Sequence, residues 1–353
     1  VLFRFGLISD THNADRCSLG QGRWLAKAIR ILNKLEPAFV VGVGDMVAGG
    51  GDCLAFGRPV EEEGDERAST DVGGEGGEGG EGGEGGTGEA ADLEDQLAEF
   101  RQLVLEKLEV PFVPVEGNHD LSTEGSKDEE YPRRVWEGFW QDSREHLLDR
   151  IRRRRYRRSY RFEYRGVGFV VLGDYGHWGL SEEEFRWARR HVRRGDIVLK
   201  HLNLFGVSCD ADGLCGFAIR DEGIEDYQVF ERLLKARRVR ALISGHTHAF
   251  YHGVCNGVPF VNTGSLGDRS MEFVKGWKES PYREASAFSV VDVMRDRSLR
   301  VRFFVYDADC GCFKVFDPAH FPEEVELERI SRSRWDEGVD GRCISVRTRA
   351  EPR

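Results

Sequence analysis

Residues 241–248 read Ala-Leu-Ile-Ser-Gly-His-Thr-His. The short apolar run Ala241–Ser244, closed by a glycine, reads as a fully buried strand. Two histidines, His246 and His248, stand just past its C-terminal end. The same arrangement occurs four times upstream. Phe3–Ser9 runs into Asp10-Thr11-His12, and Ala38–Val43 into Gly44-Asp45. Pro111–Val115 leads to Gly117-Asn118-His119-Asp120, and Ile197–Lys200 ends at His201. In open α/β sheets ligands bind at the carboxyl ends of strands. Five clusters of Asp, Asn and His at five such ends therefore point to one site, and five of the ten histidines lie in them.

Between these strands the spacing turns helical. Trp24, Leu25, Ala28, Ile31, Leu32 and Leu35 mark a helix over Arg23–Leu35. Further helices are predicted over Leu93–Leu108, Arg133–Ile151 and Glu225–Ala236, and from a Ser181 cap to about Val192. Tyr160–Tyr164 and Gly168–Leu172 read as a hairpin around Arg165-Gly166. After Ala249 the pattern is strand only: Phe250–Cys255, Val258–Asn262, Phe288–Asp292 and Leu299–Tyr306. Alternating strands and helices with a strand-rich tail predict α/β layers around central sheets.

The 353 residues, 40% hydrophobic, suffice for a large core. No apolar run approaches the ~18 residues of a membrane span. No signal segment opens the chain, which begins at Val1, and a cytoplasmic location is expected. The net charge of −11 is local. Glu61 to Asp95 holds 14 acidic residues against Arg67, a net of −13, so the rest of the chain is at +2. Within it, Gly73–Gly86 repeats Gly-Gly-Glu without proline, which excludes a collagen helix and predicts a solvated loop. The organisation expected is one domain over 1–322, an acidic insertion at about 58–91, and a charged arm over 323–353. The eight cysteines form no C-x-x-C pair, which argues against a zinc ribbon. Cys209/Cys215 and Cys310/Cys312 are close in sequence, but reduced thiols are the expectation. Arg150–Arg161 holds eight arginines among twelve residues. It could bind nucleic acid, but a solvated helix end is preferred because the fold has no basic excess. His146, His177, His252 and His320 are left as loop or packing residues.

Carboxylates, imidazoles and an amide oxygen suit Mn, Fe or Zn. In Asp10-x-His12 alternate side chains of an extended segment reach one side. Glycines before Asp45 and Asn118 are expected to allow sharp turns.

The ordered set D-x-H, G-D, G-N-H-D, H, G-H-x-H resembles the calcineurin-like metallophosphoesterase superfamily over roughly Phe3 to Leu266. The resemblance implies a four-layer sandwich of two mixed β-sheets flanked by helices. It implies two divalent or trivalent metal ions, Mn, Fe or Zn. Asp10, His12, Asp45 and His248 would hold the first; Asp45 as a bridge, Asn118, His201 and His246 the second. His119 matches the proton donor to the leaving group. The implied activity is hydrolysis of phosphate mono- or diesters, with a hydroxide bridging two cations and attacking phosphorus in line. A nuclease using the same centre and a metal-binding scaffold without turnover are the alternatives. One departure stands out. Many relatives carry an Asp three residues after the Gly-Asp aspartate, orienting the proton-donor His. Here it is Ala48, and the G-D-x-x-D-R-G form of the Ser/Thr protein phosphatases is absent. Asp52 and Asp120 are the carboxylates that could replace it.

Overall fold

The computed structural model describes residues 1–12, 21–48, 93–121, 130–153, 157–173, 180–204, 224–246, 248, 250–267, 286–307, 310–316, 324–327 and 344–345. In chain order the elements are β1 (Phe3–Ile8), α1 (Gln21–Leu35), β2 (Val40–Val43), α2 (Leu93–Phe100), β3 (Phe112–Val115), α3 (Tyr131–Asp142), α4 (Asp149–Arg152), β4 (Tyr160–Tyr164), β5 (Val167–Leu172), α5 (Glu182–His191), β6 (Ile197–Lys200), α6 (Ile224–Arg237), β7 (Ala241–Ser244), β8 (Phe250–Cys255), β9 (Val258–Thr263), β10 (Ala287–Val293), β11 (Leu299–Asp307), β12 (Cys312–Phe316), β13 (Glu324–Leu327) and β14 (Ile344–Ser345). They build two mixed sheets with flanking helices, one ordered β12-β11-β10-β1-β2-β3 and the other β14-β13-β8-β9-β7-β6-β5-β4. This is the expected two-sheet architecture. No helix among the described residues is long and apolar enough to cross a membrane.

The sheets meet through aromatic side chains that alternate along their strands. Phe3 and Phe5 of β1 face Phe169 of β5, with Phe5 edge-on to Phe169 at 5.5 Å. Phe39 stacks on Phe5, and Phe162 on Phe169 at 4.8 Å. Phe5, Phe39 and Phe169 are fully buried, each contributing about 1.5–3 kcal/mol of transfer free energy. On the other face of β1, Gly6 lies against Leu32 of α1, where a Cβ would collide with the leucine. That contact explains the apolar stripe of α1.

β1, β2 and β3 are mutually parallel, as are β5, β6, β7 and β9. Their carboxyl ends reach one edge of the sandwich, and backbone hydrogen bonds join them. Asp10 N donates to Gly44 O, Gly245 N to His201 O, and Leu266 N to Ser9 O. At the flank of this edge the sheets are laced together. Tyr160 Oη donates to Pro114 O, and Arg158 pairs with fully buried Glu116 and with Glu184. Arg161 pairs with Asp196. Two arginines of the 150–161 run are thus structural ion pairs.

Several expectations need correction. The Arg133–Ile151 helix is broken into α3, a 3-10 turn at Arg144–His146, and α4. Leu147 leaves the helix to bridge Phe112 on the edge of β3, and Leu148 N donates to Phe112 O. The Leu93–Leu108 helix widens to a π turn at Arg101–Leu105, where Glu106 N reaches Arg101 O. Arg101 there donates to Ser143 Oγ and lies over Phe139. Cys310 and Cys312 are disulfide-bonded, against the reduced-thiol expectation. The β11–β12 turn, with Gly311 at φ +61°, folds the chain back so that the two side chains meet. Cys255 is buried; the other five cysteines, the acidic insertion, Asp52, His177 and His320 lie outside the described residues. Of the charged arm, β13 pairs in parallel with β8.

Candidate metal centre

 

Five of the eight candidate site residues are buried (Asp10, His12, Asp45, Asn118 and His201), while His119, His246 and His248 are half-buried. All eight gather at the shared strand edge. Ligand atoms of Asp10, His12 and His248 lie within 4.8 Å of one another, as do those of Asp45, His201 and His246. Asn118 Oδ1 stands 3.1 Å from His201 Nε2. Asp45 lies between the groups, with Oδ2 2.9 Å from His201 Nε2 and 4.0 Å from His12 Nε2. His119 forms a third group with His12 and Asp45, its ring edge-on to His12 at 4.9 Å.

Each position follows from local backbone. Asp10, His12, Asp45, His246 and His248 all have positive φ, between 37° and 69°. Asp and His tolerate this left-handed region better than most residues, and it turns their side chains off the strand ends. Gly44, at φ +88°, packs against the His201 ring, where a Cβ would overlap it. Gly117 corrects the turn expectation: it is not at positive φ, and its role is close approach, since a Cβ there would strike the Asp45 carboxylate. Hydrogen bonds fix the loops. Asp45 O accepts from Thr11 N and His12 N. Asp45 Oδ1 accepts from His119 N, and Asp10 accepts from His246 N. Thr11 Oγ1 donates to Met46 O and Ser265 Oγ to Asp10 O. These two hydroxyls were not singled out in the sequence, because a lone Thr or Ser in a loop carries no signal of its partner.

The donor set fits a cation. Val43 O lies 2.7 Å from His201 Nδ1. A carbonyl only accepts, so Nδ1 carries a proton, and in the neutral ring Nε2 carries a lone pair. That lone pair faces Asp45 Oδ2 and Asn118 Oδ1, so three electron-pair donors converge. A backbone carbonyl fixing the tautomer in this way is the arrangement typical of metal-ligating histidines. His12 Nε2 is buried without a hydrogen-bond partner, a cost that a bound cation would remove. Protonation states agree. Burial pushes His12 down to about 4 and His246 to about 3, which keeps both imidazoles neutral. Burial opposes ionisation of Asp10 and Asp45, but neighbouring histidines outweigh it and hold both carboxyls below the ordinary range.

Of the two carboxylates that could orient His119, Asp52 lies outside the described residues and Asp120 is engaged with backbone amides. Asp120 accepts from Met46 N, Val47 N and Gly117 N. Burial, then the Asp45 charge, pushes it up to about 7. His119 Nδ1 instead meets the backbone carbonyl of Ala48 at 2.8 Å.

Comparison with known proteins bears on this geometry. Among solved structures, a dimetal phosphatase from Danio rerio matches at 14% identity and a TM-score of 0.51, covering 86% of this chain and 96% of its own. A purple acid phosphatase from yellow lupin, Lupinus luteus, matches at 15% identity and a TM-score of 0.53, covering 89% of this chain and 52% of its own. At such identities these likenesses show a shared fold. No curated protein matches. The family model for calcineurin-like phosphoesterase matches residues 3–250, well over half of the sequence. The chain belongs to the calcineurin-like phosphoesterase family.

Proposed function

We propose that the chain hydrolyses phosphate mono- or diesters with two metal ions. Asp10, His12, Asp45 and His248 would hold one ion; Asp45, Asn118, His201 and His246 would hold the other. The observation that carries this reading is the convergence of His201 Nε2, Asp45 Oδ2 and Asn118 Oδ1, with the histidine tautomer set by Val43 O. When bound, the ions supply positive charge for the phosphoryl oxygens and activate a water.

The other roles belong to the chain itself. Buried neutral imidazoles and ionised carboxylates keep the donor set ready without proton loss at binding. His119, half-buried, holds Nδ1 against Ala48 O and leaves Nε2 as the position that gives a proton to the leaving group. A carbonyl orienter carries no full charge, so it stabilises a protonated ring less than a carboxylate would.

The test is hydrolysis of p-nitrophenyl phosphate, its bis-ester, alkyl phosphates, and single-stranded and duplex DNA, before and after chelation and after adding back Mn²⁺. Metal-dependent turnover of a mono- or diester is the expected result. Two bound metals without turnover of any ester would overturn it in favour of a scaffold, and cleavage of DNA alone in favour of a nuclease.

A further inference from the structure

Gln96 is out of pattern. It lies on α2 among the buried apolar residues Leu93, Leu97 and Phe100, and it is itself only 3% exposed. A buried amide on an apolar helix face needs polar partners. Its Oε1 accepts from Ala48 N at 3.0 Å. Ala48 is the residue whose carbonyl meets His119 Nδ1. We infer that Gln96 is a positioning residue for His119, acting through the Ala48 backbone.

Three consecutive amides support this. Asp120 Oδ1 takes Met46 N and Val47 N, and Gln96 Oε1 takes Ala48 N. The segment is held on its N–H side, which directs the Ala48 carbonyl at the imidazole. Without the third bond, Ala48 can rotate and Nδ1–H loses its acceptor. The imidazolium gives its Nε2 proton to the leaving group and returns to the Nδ1–H tautomer; without that acceptor the protonated ring is held less often in the geometry for donation and the neutral ring samples both tautomers, a loss that falls on the chemical step rather than on binding.

The inference rests on the proposed role of His119, and the experiment separates the two. Gln96→Leu removes the acceptor, and Gln96→Glu restores an acceptor oxygen at the same position. In ring-nitrogen NMR of the metal-free full chain, wild type and Gln96→Glu should show His119 with the proton on Nδ1, and Gln96→Leu a tautomer mixture. With metal restored, Gln96→Leu should lower kcat on an alkyl phosphate about 10-fold or more at unchanged KM, leave p-nitrophenyl phosphate within about 2-fold, and be rescued by Gln96→Glu. An unchanged His119 tautomer in a folded Gln96→Leu, or equal loss on both esters, overturns the inference. If Gln96→Leu does not fold, Gln96→Glu decides: a wild-type tautomer and alkyl-phosphate rate support positioning, and a lost Nδ1 proton signal overturns it. Absence of any wild-type hydrolysis would sink the functional reading, while the tautomer comparison would still judge Gln96.

Discussion

Asp45 carries the heaviest load of any single side chain at this edge. One carboxylate oxygen accepts from His119 N, the other faces His201, and the backbone carbonyl ties down Thr11 and His12. Asp45→Asn should therefore lower metal content and turnover together, by more than the ~10–100-fold typical of residues behind the ligands. Retention of two metals with near-native turnover in the purified variant would rule out its bridging role. His119 makes a different demand. His119→Ala should cost roughly 10²-fold or more on alkyl phosphates and little on p-nitrophenyl esters, whose leaving groups need no proton. Rate ratios across the two ester classes check this, and equal losses would contradict it. That these eight candidates would gather at one edge is legible because each sits in a short motif past a strand end. Ala48 and Gln96 are not, because a carbonyl contact and a buried amide leave no mark in residue spacing.

Strands and helices hold these side chains through features that periodicity reveals unevenly. β6, β7 and β8 fall where short apolar runs and turn residues place them, and the Ser181 cap forms a reciprocal capping box with Glu184. The Arg133–Ile151 helix was misread because the pull of the β3 edge on Leu147 is a tertiary effect. Across β1, β10 and β11, buried Asp292 meets Arg4, Arg300 and Arg302. Burial would raise its carboxyl, but hydrogen bonds from Arg4 and Arg300 and the charge of Arg302 outweigh it and hold it below the usual range. A carboxyl lowered on folding contributes stability above its unfolded value of ~3.9 and loses it as pH falls through the folded value. Asp292→Asn should therefore lower stability at pH 7 by about 1 kcal/mol, because partly exposed arginines, screened by solvent, lose their counter-charge. The gap from wild type should shrink as pH falls below ~4. Thermal unfolding across pH checks the sign, and a gap that widens in acid would contradict it.

Over the whole molecule, charge is unevenly spread. Residues 49–92 leave the described structure at Ala48 and return at Leu93, so their two ends flank the Ala48–Gln96 hydrogen bond beside His119. Most of the −13 of Glu61–Asp95 falls, in sequence, between those two ends. Fields of this size act over ~8–10 Å near physiological salt. Deleting Gly64–Gly88 should raise kcat/KM for anionic esters at low salt and converge with wild type as salt rises. A salt-independent difference, or none, would show that the acidic stretch does not act on substrate. Docking of that stretch on the arginine run predicts instead new salt-sensitive polyanion binding in the deletion. Composition made this local charge legible, while the two-sheet fold was legible in the order of the motifs. The two-ion centre is tested most directly by metal stoichiometry measured alongside turnover. Metal-stripped chain titrated with Mn²⁺ should bind two ions, with phosphoester hydrolysis appearing as the second is filled. Full hydrolysis by metal-free chain, or failure to bind a second ion, would contradict it.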